Sequence, residues 1–339
     1  MKTSTILKTL LVALLCTSAN LKAQTVQLVQ QERKTSIRGL SVVDDNVAWV
    51  SGSRGNIGIS ADGGKTWAWQ QIKGYEKSDF RDIEAFSDKE AIIMSSGTPA
   101  VILKTLDGGN TWQEKYNKTD SAYFLDAMDF ADKKHGFIMG DAIKGKVLLL
   151  ETKDGGDTWS ELAGAPDALP NEGGFAASGT CLRVNGKSIS IVTGGGVSRL
   201  LTSPINNIKW QASVVPLTNG AASRGAFSVA FSKNGSVIVG GNYSKDAVAD
   251  SVAYLFPKQQ AGNKGSFPEV SPAGYQSCVE YLTGDIFLAT GTSGTNLSTD
   301  NGRKWVKIDG KSYNVCRRAK HGNLVLLAGD GGKIGIYKP

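Results

Sequence analysis

Ser60-Ala61-Asp62-Gly63-Gly64-Lys65-Thr66-Trp67 recurs as Thr105-Leu106-Asp107-Gly108-Gly109-Asn110-Thr111-Trp112 and as Thr152-Lys153-Asp154-Gly155-Gly156-Asp157-Thr158-Trp159. A looser copy is Ser298-Thr299-Asp300-Asn301-Gly302-Arg303-Lys304-Trp305. The aspartates are 45, 47 and 146 residues apart, the last interval being about three periods of the same length. A degenerate copy, Ser203-Pro204-Ile205-Asn206-Asn207-Ile208-Lys209-Trp210, keeps the Ser and the Trp and lacks the Asp. Each box carries its own turn chemistry. The short carboxylate accepts from N–H groups of the turn, the glycines supply positive φ, and the Ser/Thr hydroxyl ties two strands together. The Trp is then left to pack against a neighbouring sheet. Asp62, Trp67, Asp107, Trp112, Asp154, Trp159, Asp300 and Trp305 therefore read as structural residues.

Around every box the same grammar repeats: an apolar or alternating run, a Gly-rich turn, a second run, the box, and a final run. That is four short strands per period. Pairs such as Ala91-Ile92-Ile93-Met94 with Val101-Ile102-Leu103, and Asn323-Leu324-Val325-Leu326-Leu327 with Ile334-Gly335-Ile336-Tyr337, place seven such units in residues 24–339. A four-stranded sheet of this size cannot cover both its faces alone, so the units must stack radially. The fold expected is all-β, a single seven-bladed β-propeller over 24–339. The seventh unit stops at Pro339 one strand short, and Thr25-Val26-Gln27-Leu28-Val29-Gln30-Gln31 is an orphan strand at the other end. This N-terminal strand is expected to complete the last blade and lock the ring.

Residues 1–23 read as an address. Lys2 and Lys8 precede the run from Leu10 to Leu15, and Leu21-Lys22-Ala23 follows before Gln24, the pattern of a secretory signal peptide cut after Ala23. The run is shorter than the roughly 20 apolar residues a spanning helix needs. The expectation is an exported chain, periplasmic or extracellular, without membrane insertion. Cys16 raises lipidation, which Leu15 before it disfavours. The 339 residues carry 38 Lys and Arg against 31 Asp and Glu, a formal +7 that falls to +4 without residues 1–23. With charges of both signs alternating along the chain, no nucleic-acid partner is expected. Cys181, Cys278 and Cys316 remain, an odd number. Each lies in a strand-like run as a small buried residue, with a Cys278–Cys316 bridge as the sharper alternative. The two histidines, His135 and His321, both lie in Lys-His-Gly turns, and no CxxC spacing occurs, so neither a metal site nor a histidine-based triad is expected.

Ligands of closed rings favour the central concavity made by the starts of the first strands and the adjoining loops, on the rim opposite the boxes. Aligning those starts puts Arg38, Arg81, Leu125, Ala226, Gln276 and Asn314 in one column. Ile37, Phe80, Phe124, Gly225, Tyr275 and Tyr313 precede them, and Asp82 and Asp126 follow. Arg224 and Arg317 are further arginines near first-strand starts, Glu172 joins the set, and Arg54, Asp141 and Asn242-Tyr243 border it. Arginines, carboxylates and aromatics together suit a polar peptide or an acidic surface. Gly194-Gly195-Gly196 and Gly329-Asp330-Gly331-Gly332 give no GxGxxG before a helix, so no nucleotide cofactor is expected.

The boxes resemble the BNR/Asp-box repeat of sialidases, sortilin-type receptors and the photosystem II stability/assembly factor-like proteins. The last group is the most similar, through the boxes, the leader, and the stretches Glu172-Gly173-Gly174-Phe175-Ala176-Ala177-Ser178-Gly179-Thr180 and Gly240-Gly241-Asn242-Tyr243. That resemblance implies a non-catalytic, monomeric propeller that binds a protein or peptide, such as an envelope or membrane protein under assembly, with no cofactor. A sialidase-like glycoside hydrolase or carbohydrate-binding propeller is the alternative reading, and an oxidoreductase a weaker one. The sialidase motif Phe/Tyr-Arg-Ile/Leu-Pro is absent around Arg38. Tyr275 and Tyr313 are the candidate nucleophiles, and Glu280 lies further along the strand that follows Tyr275.

Overall fold

The computed structural model describes residues 24–258 and 265–339; the expected signal peptide, residues 1–23, and with it Cys16 lie outside the described residues. Seven antiparallel sheets follow one another in chain order. We number the blades 1 (residues 37–71), 2 (79–118), 3 (125–161), 4 (182–214), 5 (224–257), 6 (278–309) and 7 (315–338). In each the first strand is innermost, and successive strands step outward by hairpins. Blade 7 has three strands of its own, and its outer position is filled by Thr25–Gln30, which pairs antiparallel with Lys333–Lys338 from Thr25↔Lys338 to Gln30↔Ile334. The orphan N-terminal strand therefore closes the ring as the sequence anticipates.

The boxes seat each blade on the one before it. In blade 1 the Asp62 carboxylate accepts from the Lys65 and Thr66 amides at 3.0 and 2.9 Å and from the Thr66 hydroxyl at 2.7 Å. The Ser60 hydroxyl accepts from the Gly64 amide at 2.9 Å. These bonds, the Thr66 amide first, pull the Asp62 carboxyl down to about 2. Gly64, at φ +80°, sits against Leu326 of blade 7, where a Cβ would approach within 2.8 Å. The corresponding Gly109, Gly156 and Gly302 face Ile57 of blade 1, Ile92 of blade 2, and Leu255 with Val237 of blade 5. Trp112 lies edge-on to Trp49 with centroids 6.4 Å apart. The degenerate blade 4 box bonds differently: Ser203 accepts from the Lys209 amide, six residues on, and the Trp210 indole donates to the Gly164 carbonyl after blade 3, where Trp67 and Trp305 donate to a glycine of their own box.

Blade 5 departs from the pattern. Its outer strand Ala253–Pro257 is met, among the described residues, through the bridge Leu255↔Ser266, and its inner edge is extended by two short pieces, Gly194–Gly195 and Glu172–Gly173. The second of these leads into residues 174–180, which cross the axis of the ring. Arg81 of blade 2 donates to the Ala176 carbonyl at 3.4 Å, Ser178 donates to the Ser277 carbonyl of blade 6 at 2.8 Å, and Arg317 of blade 7 donates to the Gly179 carbonyl at 3.4 Å. Gly179, at φ +67°, lies on Asp82, and a Cβ there would come within 2.2 Å of the carboxylate. The crossing segment divides the channel into two end cavities.

Candidate functional site

The cavity opposite the boxes has a volume of about 450 Å³, with Arg38, Arg81, Asp126, Phe227, Tyr243 and Tyr275 among the residues that line it. Four of these owe their direction to one repeated backbone irregularity. The first strands of blades 1, 2, 3 and 5 each slip register where two residues oppose one: between Ile37 and Gly39, Phe80 and Asp82, Leu125 and Ala127, and Ala226 and Ser228. The extra residues are Arg38, Arg81, Asp126 and Phe227. A β-bulge re-aims the inserted side chain out of the ladder, and here it turns all four into the cavity.

The lining is divided by chemistry. Blades 1 and 2 supply the arginines. Arg38 donates to the Ser36 hydroxyl at 2.7 Å, and Arg81 pairs with Asp79 at 2.7 Å over the face of Phe124. Blade 3 supplies carboxylates. Asp126 is 1% exposed, its Oδ2 has no hydrogen-bond partner among the described residues, and burial with Asp141 nearby holds its carboxyl well above the ordinary range. Asp141 is also raised by burial. Blades 5 and 6, with the crossing segment, supply aromatics. Phe175 stacks on Phe227 at 3.6 Å, and Tyr275 meets Phe227 edge-on at 4.8 Å. Asp330 of blade 7 accepts from Asn314 at 3.0 Å, and its bonds to Ser36 and Asn314 outweigh burial and lower its carboxyl.

Of the residues expected at this mouth, Arg38, Arg81, Asp126, Tyr275 and Asn314 line it. The others go elsewhere. Asp82 is fully buried and accepts from the Met128 and Ile83 amides at 2.7 and 2.9 Å, holding blade 3 to blade 2 beneath Gly179. Gln276 is buried and donates to Ser293 and the Gly274 carbonyl. Tyr313 is 1% exposed, in the core of blade 7. Glu172 is buried in a clamp with Arg199, at 2.6 and 2.7 Å. Arg224 pairs in register with Asn242 at the head of its strand and does not line the cavity. Arg317 lies at the other end of the channel. The bulge explains the commonest error: in blades 3 and 5 the sequence column takes Leu125 and Ala226, which are core, one residue short of Asp126 and Phe227. Phe227 is missed for that reason; in blade 6 Ser277, just ahead of the first strand, lines the cavity where Gln276 is expected.

The box-side cavity, about 330 Å³, gathers Glu84, Asp129, Arg183, Glu280, Arg317 and Lys320 among its walls. Arg183 pairs with Glu280 at 2.5 Å, and Lys320 with Glu84. Glu280 thus stands across the crossing segment from Tyr275, so the two do not form the nucleophile pair a sialidase-type site would require.

Residues 18–118 match the family model described as Photosynthesis system II assembly factor YCF48. Among solved structures, "YCF48 bound to D1 peptide" superposes with a TM-score of 0.69 at 16% identity, covering 94% of this chain and 97% of that one. YCF48 from Cyanidioschyzon merolae follows at 0.65 and 15%, covering 93% and 99%. The family match covers the first part of the chain, and the structural likeness, at 16% identity or less, shows the fold, a β-propeller. No curated protein matches its sequence. The Neurospora crassa Pan2 WD40 domain also matches this propeller, with a TM-score of 0.60, 14% identity and 89% of each chain covered. The fold alone therefore does not specify a function.

Proposed function

We propose that the chain is an exported, non-catalytic propeller that holds a segment of a protein partner in the mouth formed by Arg38, Arg81 and the aromatic wall of Phe175, Phe227, Tyr243 and Tyr275. The observation that carries this reading is the set of bulges that turns Arg38, Arg81, Asp126 and Phe227 into one cavity. Arg38 has one hydrogen bond among the described residues, to Ser36, which leaves most of its guanidinium for a ligand. Arginines beside aromatic faces are the groups that anchor protein interfaces. A related propeller is described as bound to a D1 peptide, which accords with a peptide ligand. The chain acts as a monomer in the periplasm or outside the cell after cleavage near Ala23, and its partner is an envelope or membrane protein under assembly.

The test is co-purification from the native host, comparing wild type with an Arg38→Ala/Arg81→Ala variant by mass spectrometry. One envelope or membrane protein is expected with wild type and lost from the variant. Recovery of the same proteins by both forms would overturn the assignment of the mouth.

A further inference from the structure

Cys278 opens the innermost strand of blade 6, Cys278–Thr283, and Cys316 is the second residue of the innermost strand of blade 7, Val315–Arg318. Both are fully buried free thiols, and their sulfurs lie 3.7 Å apart. The Cys278 sulfur is set against its neighbour's backbone. It accepts from the Cys316 amide at 3.4 Å, and its S–H lies 3.3 Å from the Cys316 carbonyl. Cys181 is placed differently, with its sulfur 3.7 Å from that of Met139. Of the three described cysteines, two therefore face each other across a blade junction and the third faces a thioether.

We propose that Cys278 and Cys316 are a disulfide-forming pair that staples blade 6 to blade 7. Bond formation requires the sulfurs to close from 3.7 Å to about 2.05 Å. The oxidant is a small-molecule or protein disulfide. The Cys278 thiolate attacks it and expels one thiol, and the Cys316 thiolate then attacks the Cys278 sulfur of the mixed disulfide and expels the second. Two S–H bonds are lost, one S–S bond forms, and the oxidant's two sulfurs carry away both electrons and both protons. Since both sulfurs are buried in the closed ring, the exchange belongs to the stage before blades 6 and 7 dock.

The staple would bear on the mouth. Ser277, next to Cys278, donates to the Asn314 carbonyl at 2.6 Å, two residues before Cys316, and both line the cavity. Holding these strands together fixes that wall.

The experiment refolds the full chain with glutathione disulfide or with dithiothreitol, alkylates it in denaturant, and maps the peptides. After glutathione disulfide, Cys278 and Cys316 should resist alkylation and appear in one cross-linked peptide, while Cys181 is alkylated. Cys181→Ser should behave as wild type. The oxidised form should melt about 5 °C above the reduced form, a difference absent in Cys316→Ser. Equal alkylation of all three cysteines after oxidative refolding, a bridge through Cys181, or a bridge without a melting difference would each overturn the proposal.

Discussion

Arg199→Ala isolates the clamp that holds the crossing segment. Glu172 has a side chain only 1% exposed, and Arg199 one 11% exposed. The carboxylate accepts from Arg199 Nε and Nη2 at 2.7 and 2.6 Å, from the Thr193 hydroxyl at 2.5 Å and from the Leu169 amide at 2.8 Å. Removing the guanidinium leaves a buried carboxylate with neutral donors alone, a change that costs about 3–5 kcal/mol. For a domain of about 300 residues, with about 2.1 cal/mol/K of unfolding entropy per residue, this lowers Tm by about 5–8 °C. Circular dichroism melting and urea midpoints measure it. Glu172→Gln/Arg199→Met removes the orphaned charge with its partner and should recover more than half of the loss. An Arg199→Ala variant within about 1 kcal/mol of wild type, with unchanged m-value, would refute the claim that this pair is a buried anchor.

Other expectations follow from the same contacts. Gly179→Ala places a Cβ against Asp82 in a left-handed backbone, and should cost at least about 2 kcal/mol in urea titration. Deleting residues 25–30 uncovers the edge of Lys333–Lys338, and should turn a single unfolding transition into a broad one with association on gel filtration. The carboxyls of Asp62 and Asp154 are drawn down to about 2, so their stabilisation is complete above the unfolded carboxyl pKa near 4 and is lost as pH falls toward 2. Asp154→Asn should flatten that acid limb of the Tm–pH curve. Asp126 has the opposite sign: its raised carboxyl favours folding at low pH and loses that contribution as pH rises through the folded value. Asp126→Asn should therefore gain on wild type between pH 5 and pH 8 in parallel melts.

The ring was legible because its determinants are local. Asp62, Gly64 and Trp67 satisfy one another within eight residues, and their recurrence counts blades directly. Closure by Thr25–Gln30 was legible because one blade lacked a strand and one strand lacked a blade. The mouth was only half legible. Arg38 and Arg81 stand out as charged residues at the heads of apolar runs, whereas Phe227 sits among Ala226, Ser228 and Val229 with nothing to mark the bulge that turns it inward. The slip depends on pairing with Gly240 and Val239, contacts that a single strand does not carry. Glu172 stands out in a distinctive stretch, but its partner Arg199 is 27 residues away, and only the fold shows a clamp in place of a ligand-facing acid.

The central claim is that a protein partner sits in the arginine- and aromatic-lined mouth, and site-specific photo-cross-linking tests it most directly. A photoreactive phenylalanine analogue would replace Tyr243, 51% exposed at the mouth, and in a second variant Val306, 65% exposed on the outer strand of blade 6. Irradiation in native host cells is expected to join one discrete protein to the Tyr243 position, to leave the Val306 position uncoupled, and to lose the adduct when Arg38 and Arg81 are replaced by alanine. A discrete adduct from Val306 with none from Tyr243 would contradict the account.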